Sequence, residues 1–289
     1  MNERSALGLL AGTVGAAGDD AAVIDGLTVT TDMLHERTDF PPGTTRYTAG
    51  WRAIGASLSD VAAMGGTPAA AVAAYGAPTF DRTEITAFVD GASDVCDRVG
   101  ARYVGGDLDA HDEFTVAGTV VGEVEQPVFR DGASPGEAVC VTGTLGRTGA
   151  ALRLFDRGDH DRANALFRFE PRVAAGRRLS TAASAMMDSS DGLARSLHQL
   201  AAASDCGFDV AWDRFPVDPS VDAVADGDAD RQELAAFCGE DFELVFTVSP
   251  GALDGVRESV TTPVTRIGTV TESGVIADGE PLPDRGYSH

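Results

Sequence analysis

Strand-like and helix-like apolar patterns alternate along both halves of this 289-residue chain. The clearest helix follows Asp81, where Asp81 and Glu84 form a capping-box pattern and apolar residues recur at helical spacing up to Val99. Residues 125–137 interrupt the alternation with a run of turn-forming residues. The alternation therefore predicts an α/β (α+β) fold in two domains, residues 1–126 and 136–289, each long enough to bury a core.

The remaining patterns predict further elements in both domains. Strand-length apolar runs are bounded by turn formers, and longer stretches repeat at helical spacing. The predicted strands cover residues 27–31, 69–75, 102–104, 114–124, 138–142, 242–248 and 264–270. The predicted helices cover residues 48–64, 148–155 and 172–183, and another follows Gly192.

Aspartates recur in short frames of small residues, and each frame ends an apolar run. No frame has a basic residue next to it in the sequence. Carboxylates that converge without cations repel each other and raise one another's pKa unless a metal ion lies between them. Oxygen ligands of this kind, with Ser and Thr hydroxyls among them, suit magnesium and phosphate, so we predict magnesium-dependent nucleotide chemistry. The frames are Gly18-Asp19-Asp20, Thr30-Thr31-Asp32, Leu58-Ser59-Asp60, Gly105-Gly106-Asp107 and Asp188-Ser189-Ser190-Asp191-Gly192.

All 22 basic residues of the chain are arginine, and lysine is absent. A Walker A loop and a protein-kinase active site each need a lysine on the nucleotide phosphates, so the composition excludes both classes. Any phosphate binding must therefore use metal ions, backbone amides, helix N-termini and arginine.

The formal net charge of the chain is −23. Nucleic acid and anionic membrane attract basic surfaces, so neither is expected as a partner. A surface this acidic suits molar salt, where the Debye length falls to about 3 Å and self-repulsion is screened. The first residues lack the pattern of a signal peptide, and no apolar run approaches the ~20 residues of a membrane span. We therefore expect a cytoplasmic protein of a halophilic cell.

Seven short frames stand in one order along most of the chain. They are Gly18-Asp19-Asp20-Ala21-Ala22, Thr30-Thr31-Asp32, the segment 58–65, Gly105-Gly106-Asp107, Arg130 ahead of Ser134-Pro135-Gly136, Asp188-Ser189-Ser190-Asp191-Gly192-Leu193, and Gly239-Glu240-Asp241-Phe242-Glu243-Leu244. A single frame of this kind occurs often by chance, whereas the ordered set is specific. Together the frames resemble the thiamine-monophosphate kinase family, within the AIR synthetase-like superfamily of ATP-binding proteins.

The resemblance implies a fold, an activity and an assembly. The fold is the two-domain AIR synthetase-like fold, whose N-terminal mixed sheet with helices binds ATP and magnesium and forms a homodimer, followed by a C-terminal α/β domain. The activity is ATP-dependent phosphorylation of thiamine monophosphate to thiamine diphosphate, the last step of thiamine diphosphate biosynthesis, by magnesium-assisted in-line transfer. ATP is then the co-substrate, several magnesium ions are the cofactors, and no covalent catalytic residue is expected.

The resemblance also carries the family's site positions onto this sequence. The metal positions are Asp20, Thr30, Thr31, Asp32, Asp60, Asp107, Asp188 and Asp191. The ATP-binding positions are Gly106, Asp107, Arg130 and Ser190. The substrate-binding positions are Asp39, Glu240 and Tyr287. Asp39 stands where the family often has a histidine, and Tyr287 is the aromatic residue nearest to an expected C-terminal aromatic position.

Two other functions remain open on the sequence alone. The first is the purine-pathway ring-closing synthetase, another AIR synthetase-like enzyme and the nearest alternative. The frames at 58–65 and 188–193 favour the thiamine kinase over it. A non-catalytic acidic protein that binds metal or nucleotide would account for the aspartates without any turnover.

Several of these side chains also have structural interpretations. Asp191 can be the N-cap of the helix that follows it, and Asp19 can be a turn residue. Asp241 and Glu243 can be surface charges. Residues 143–147 loosely resemble a phosphate loop, and helix initiation explains them equally well.

Overall fold

The computed structural model describes residues 9, 10, 12–15 and 18–287. The expectation about a signal peptide concerns the first residues, most of which lie outside the described part. Two β-sheets, one of five strands and one of seven, organise the described residues. The strands of the first sheet lie within residues 22–123 and those of the second within residues 138–281. The α/β (α+β) fold with two domains is therefore confirmed.

The N-terminal domain is a mixed sheet with helices on one face. Its strands are β1 (Ala22–Ile24), β2 (Leu27–His35), β3 (Thr67–Ala77), β4 (Arg102–Ala110) and β5 (Thr115–Glu123), and its helices are α1 (Glu36–Asp39), α2 (Arg46–Ala63) and α3 (Arg82–Val99). The strands are ordered β1-β2-β5-β3-β4, with only β3 and β4 parallel. Ile54 and Leu58 of α2 and Phe88 of α3 bury one face of the sheet.

Two strands that carry predicted site residues are longer than the sequence suggests. β2 pairs with β5 as far as His35, so Thr30, Thr31 and Asp32 lie in mid-strand and Thr31 points to the opposite face from its neighbours. β4 pairs with β3 as far as Ala110, so Asp107 lies inside an edge strand. The prediction that these frames end their strands is wrong, because pairing with a neighbouring strand continues past the apolar run.

The helices α2 and α3 cross with their backbones in contact. A Cβ added to Gly50 would lie 2.1 Å from the carbonyl oxygen of Phe88, and one added to Gly91 would lie 1.9 Å from that of Tyr47. Both positions therefore need glycine, because any side chain would push the helices apart.

The C-terminal domain contains a second mixed sheet. Its strands are β6 (Ala138–Thr142), β7 (Ala183–Asp188), β8 (Gly207–Val210), β9 (Leu244–Val248), β10 (Val264–Thr271), β11 (Val275–Ala277) and β12 (Glu280–Pro281). They are ordered β12-β11-β8-β10-β6-β9-β7, and only β8 and β11 are parallel. The helices are α4 (Arg147–Asp156), α5 (His160–Phe167), α6 (Val173–Leu179), α7 (Leu193–Ser204), α8 (Pro219–Asp222), α9 (Asp228–Ala236) and α10 (Leu253–Ser259). Within the described residues, no helix has the length and apolar character needed to cross a membrane.

The predicted helix over residues 172–183 is shorter in the structure. α6 ends at Leu179, and β7 begins at Ala183. Met186 and Met187 therefore belong to a buried strand, and Asp188 is its last residue. The predicted strand from residue 242 also begins later, because Phe242 has a left-handed φ of 53° that interrupts extended backbone.

The last turns of α2 lie against the C-terminal domain. Ala62 and Ala63 pack with Val173 and Leu179 of α6. A Cβ on Gly176 of α6 would lie 2.0 Å from the carbonyl oxygen of Ala62, so α2 and α6 approach as closely as their backbones allow. This contact holds the C-terminal end of α2 at the junction of the two domains.

We expect Gly91→Ala to lower the free energy of unfolding by about 1–3 kcal/mol, because the added methyl group overpacks the α2–α3 crossing. Gly255→Ala is the matched control, since the same change in α10 meets no atom within 4 Å. That control should be neutral or stabilising by about 0.4–1 kcal/mol. Urea unfolding of both variants measures the difference, and an equal effect of the two changes would contradict the packing described here.

Candidate active site

Three carboxylates from separate parts of the chain meet at the domain junction. Asp20 precedes β1, Asp60 lies near the end of α2, and Asp188 ends β7. Each offers an oxygen atom, and these atoms all lie within 4.8 Å of one another. The structure thus brings together three of the aspartates that the sequence assigns to metal binding.

The cluster is electrostatically unfavourable when no cation neutralises it. Burial, together with the charges of Asp32, Asp188 and Asp20, raises the pKa of Asp60 well above its ordinary value. Burial, followed by the charge of Asp20, raises the pKa of Asp188 to about 7. Groups that resist ionisation in this way fit a divalent cation, which removes both the repulsion and the cost of burial.

Hydroxyl groups hold the carboxylates of this cluster in place. Thr30 Oγ1 donates a hydrogen bond to Asp60, and Ser59 Oγ donates to Asp188 Oδ2 at 2.7 Å. Ser57 Oγ donates to Asp32, which lies beside Asp60. Ser57 and Ser59 were not predicted as site residues, although their spacing within one helical turn of Asp60 is a signal that the sequence contains.

Arg130, which the resemblance assigns to ATP binding, supplies a cation to this cluster. Its Nη2 lies 2.8 Å from Asp20 Oδ1, and its backbone N–H donates to Asp19 Oδ2 at 3.1 Å. The expectation of carboxylates without a neighbouring cation is therefore wrong in three dimensions for Asp20. Asp19, for which a turn role was one interpretation, also lies 3.7 Å from Arg130 Nε, and burial raises its pKa to about 6.

The outward face of the first sheet carries two predicted metal residues. Thr31 Oγ1 donates to the Gly118 carbonyl at 2.9 Å and lies 3.0 Å from Thr119 Oγ1. Asp107 pairs in register with the exposed Ala74 and is not one of the close carboxylates. A single chain therefore does not bring Thr31 and Asp107 to the cluster.

Gly106 and Asp107 instead line a cavity of about 410 Å³ beside α3. Aromatic side chains form much of its wall, including Tyr75, Phe88 and Tyr103. Gly106 is required at this position, because a Cβ would lie 1.8 Å from the carbonyl oxygen of Ala73.

Ser190 and Asp191 lie in the loop between β7 and α7. The Ser190 N–H donates to Asp188 Oδ1 at 3.1 Å, which places Ser190 next to the cluster. The Asp191 carboxylate accepts from Gln199 Nε2 at 3.2 Å. The N-cap residue of α7 is Gly192, so the interpretation of Asp191 as the N-cap is wrong.

The three predicted substrate residues meet at one side of this loop. Tyr287 donates from its hydroxyl to Asp39 Oδ1 at 3.1 Å, and its backbone N–H donates to the Asp191 carbonyl at 2.9 Å. Burial, then the charges of Glu240 and Asp39, raises the pKa of Tyr287. Asp39 is 4% exposed and also accepts from the backbone N–H of His35 at 2.7 Å.

Arg52 is a buried residue of this region that sequence analysis did not identify. Its Nη2 lies 3.0 Å from Glu240 Oε2, and its guanidinium carbon lies 3.6 Å from the centre of the Phe167 ring. Glu240 itself has a left-handed φ of 67°, which is uncommon for a residue with a side chain. A signal for Arg52 in the sequence is its place between Trp51 and Ala53–Ile54, on the apolar stretch of helix α2.

Asp241 and Glu243 are buried, so their interpretation as surface charges is wrong. Asp241 accepts from the N–H groups of Gly146 and Thr148 and so caps the N-terminus of α4. Glu243 forms a two-pronged ion pair with Arg172. Because the Asp241 carboxylate already occupies the α4 N-terminus, helix initiation explains residues 143–147 better than phosphate binding does.

Known proteins resemble this chain over its whole length. The family model for the AIR synthase related protein, N-terminal domain, matches residues 18–124, and that for the C-terminal domain matches residues 134–278. The thiamine-monophosphate kinase of Halobacterium salinarum is 59% identical over 291 residues, which cover 100% of both chains. That of Methanospirillum hungatei is 42% identical and covers 100% of this chain and 99% of the relative. The structure of AaThiL complexed with AMPPCP and TMP matches with a TM-score of 0.90 at 29% identity, covering 100% of this chain and 97% of that one.

We expect magnesium to raise the thermal stability of the protein at fixed ionic strength, by about 2.7 kcal/mol at a hundred times its dissociation constant. Asp60→Asn should hold or raise the melting temperature without magnesium, because it relieves repulsion, and should reduce the magnesium-dependent increase. Asp97→Asn, on the exposed side of α3, is the matched control and should respond like the unmodified protein. Circular dichroism during thermal unfolding measures the melting temperatures. An equal magnesium-dependent rise in all three proteins would contradict the assignment.

Proposed function

The chain belongs to the thiamine-monophosphate kinase family, and we propose from this premise that it transfers the γ-phosphoryl group of ATP to thiamine monophosphate at the Asp20–Asp60–Asp188 cluster. The observation that carries this proposal is the convergence of these carboxylates within 4.8 Å, next to a separate group formed by Asp39, Glu240 and Tyr287. The cluster serves the phosphates, and the second group serves the thiamine part of the acceptor.

Magnesium is the cation that this donor set fits. The ligands are hard oxygen atoms from few carboxylates, with Thr30 and Ser59 hydroxyls holding the oxygens in position. Magnesium bound here would neutralise the phosphates of both substrates and hold the reacting oxygens in line. The carboxylates do not need lysine to do this, which agrees with a chain that has none.

The reaction balances without a protein nucleophile. A phosphate oxygen of thiamine monophosphate attacks the γ-phosphorus, a P–O bond to the β-phosphate breaks, and ADP leaves as thiamine diphosphate forms. A phosphate monoester has a second pKa near 6, so its attacking oxygen is already deprotonated at neutral pH. The protein therefore has to position two anions and screen their repulsion, and it needs no general base.

The nucleotide side of the site is assigned to residues that surround the cluster. Arg130 is a fixed cation beside it, through its pair with Asp20, and a guanidinium binds phosphate oxygens in the same two-pronged way as carboxylate. Ser190 stands beside Asp188, just before α7. Gly106 and Asp107 line the aromatic cavity at β4, whose apolar walls suit a nucleotide base.

The acceptor side of the site is assigned to Asp39, Glu240 and Tyr287. Thiamine carries a positively charged thiazolium ring, which carboxylates and an aromatic side chain both attract. Arg52 holds Glu240 by an ion pair inside the protein, so it acts as a positioning residue for that carboxylate. Asp191 connects the nucleotide side of the site to the acceptor side, because its backbone carbonyl accepts a hydrogen bond from the N–H of Tyr287.

A homodimer through the outward face of the first sheet completes this proposal. That face exposes alternate apolar side chains, among them Val29, Met33, Val72 and Val121, which are 37%, 58%, 38% and 36% exposed in a single chain. An uncovered apolar sheet face of this kind favours a partner subunit. Asp107 lies on the same face. In the dimer, Asp107 of one subunit would therefore reach the carboxylate cluster of the other subunit.

The remaining expectations stay proposals with their own support. The net charge of −23 supports a halophilic, cytoplasmic protein with no nucleic-acid or membrane partner. The two separate sheets support a division into residues 1–126 and 136–289.

We expect the purified protein to convert thiamine monophosphate to thiamine diphosphate with ATP and magnesium, as measured by chromatography of the thiamine esters. Asp39→Asn should raise KM for thiamine monophosphate about tenfold, as expected for the loss of a charged contact, and leave KM for ATP unchanged. Asp90→Asn, an exposed change in α3, is the control and should alter neither value. ATP binding without any thiamine diphosphate would contradict the kinase, and an equal rise in both KM values would contradict the role of Asp39.

The shared-site dimer makes its own prediction. Asp60→Asn and Asp107→Asn should each abolish turnover alone. A heterodimer of the two variants, purified through different tags, should regain about half of the normal activity, because one of its two sites is then intact. The heterodimer of Asp60→Asn with Asp188→Asn is the control and should stay inactive, since both side chains come from one chain. An inactive first heterodimer would show that Asp107 does not act across the dimer.

A further inference from the structure

A second cavity, of about 360 Å³, lies between the domains and is lined by arginine. Arg98 comes from α3, Arg147 begins α4, and Arg168 and Arg172 flank the segment before α6. None of the carboxylates Asp20, Asp60 and Asp188 lines it. In a chain with a net charge of −23, such a concentration of positive side chains needs an explanation.

The three carboxylates that line this cavity each have a compensating contact of their own. Glu243 is paired with Arg172, and the exposed Glu170 lies within the electrostatic reach of the same arginine. Asp241 accepts two backbone N–H groups at the start of α4.

Three of the arginines have no such compensation. Among the described residues, no carboxylate oxygen lies within 4.0 Å of the guanidinium nitrogens of Arg98, Arg147 and Arg168. Four arginines and three carboxylates line the cavity, so positive side chains outnumber negative ones there, and three of the four guanidinium groups make no close ion pair in the described part of the chain.

Two of these guanidinium groups are fixed in position without losing their charge. Arg147 Nε donates to the carbonyl of Leu166 at 2.9 Å, and Arg168 Nη1 donates to Thr48 Oγ1 at 3.0 Å. Neutral acceptors hold both side chains, so the remaining N–H groups can bind an anion with little loss of side-chain entropy.

The rest of the wall is aromatic and comes from both domains. Trp51 and Tyr47 lie on α2, and Phe169 follows α5. Trp51 Nε1 donates to the carbonyl of Phe169, which fixes the two against each other across the junction. A volume of this size and a wall of aromatic and cationic groups are typical of a small-molecule site rather than of a protein interface.

We propose that this cavity is a second anion site, which binds a small molecule carrying phosphate groups and is separate from the carboxylate cluster. The guanidinium groups bind the phosphate oxygens, and the aromatic wall accommodates a flat organic part. Nucleic acid is not the ligand, because the surrounding surface of so acidic a chain repels a phosphate backbone.

The cavity also contacts the segment that carries Glu240. Phe169, on the cavity wall, stacks on Phe242 with ring centres 4.0 Å apart. Phe242 stands between Asp241 and Glu243, which line the cavity, and follows Glu240 by two residues. A ligand in the cavity therefore stabilises one arrangement of this segment. Because the segment carries Glu240, the ligand changes the affinity for thiamine monophosphate.

Isothermal titration calorimetry with inorganic diphosphate tests the site, in the presence of EDTA and at constant ionic strength. Without magnesium the acidic cluster repels this anion, so heat from the unmodified protein reports the arginine cavity. Arg98→Gln and Arg168→Gln should each weaken binding at least about tenfold, as expected for one lost charge-assisted contact. The Arg98 side chain is exposed and its guanidinium carbon lies 5.9 Å from the centre of the Trp51 ring, so its substitution is expected to leave the fold intact. Arg231→Gln is the matched control, because this surface arginine is paired with Asp222 far from the cavity lining.

A kinetic measurement gives an independent outcome. Diphosphate should change KM for thiamine monophosphate in the unmodified protein and in Arg231→Gln, and the change should be lost in Arg98→Gln at unaltered basal activity. No binding of diphosphate, or equal binding by all four proteins, would overturn the proposal. The titration is independent of the proposed kinase activity, because it contains neither ATP nor thiamine monophosphate, whereas the kinetic measurement rests on that activity.

Discussion

The mutual repulsion of Asp20, Asp60 and Asp188 is the constraint on which the rest of the site depends. Their oxygen atoms lie within 4.8 Å of one another, and at that limit, with an effective dielectric constant of about 20, each ionised pair costs roughly 3–4 kcal/mol. Three such pairs approach the whole stability of a typical domain, which is about 5–15 kcal/mol. The cluster therefore persists only if protons, Arg130 or a bound cation neutralise it, and the hydroxyls of Thr30 and Ser59 alone cannot do so.

Helix α2 is the element that allows the chain to carry this unfavourable cluster. Gly50 lets it contact α3 backbone to backbone, and its last turns pack against α6 with equal closeness at Gly176. Between these contacts the same helix delivers Asp60 to the carboxylates and Arg52 to Glu240. One rigid helix thus positions residues of both the metal side and the substrate side, so a shift in α2 would affect both together.

Short-range patterns in the sequence were enough to identify many of these features. The capping box at Asp81, the turn-rich segment at 125–137 and the apolar runs predicted the two-domain α/β fold, because local propensity and periodicity agree with the final structure there. The frames of small residues likewise identified Asp20, Asp60 and Asp188. The predictions failed where the local structure depends on residues far away in the chain. β4 continues through Asp107 because it pairs with β3, and Glu243 is buried where Arg172 and Thr142 meet it.

By itself, the sequence determined which chemistry is possible. A chain with clustered aspartates, no lysine and the ordered frames of one kinase family can bind phosphate only through metal, arginine and backbone groups. Only the tertiary structure decided which side chains act together. It placed Arg130 on Asp20 and directed Thr31 and Asp107 to the outward sheet face. It also left Arg147 and Arg168 with no carboxylate oxygen within 4.0 Å in the described part of the chain. The reason is physical: Coulomb interactions and burial depend on distances between residues far apart in the chain, and no local pattern encodes those distances.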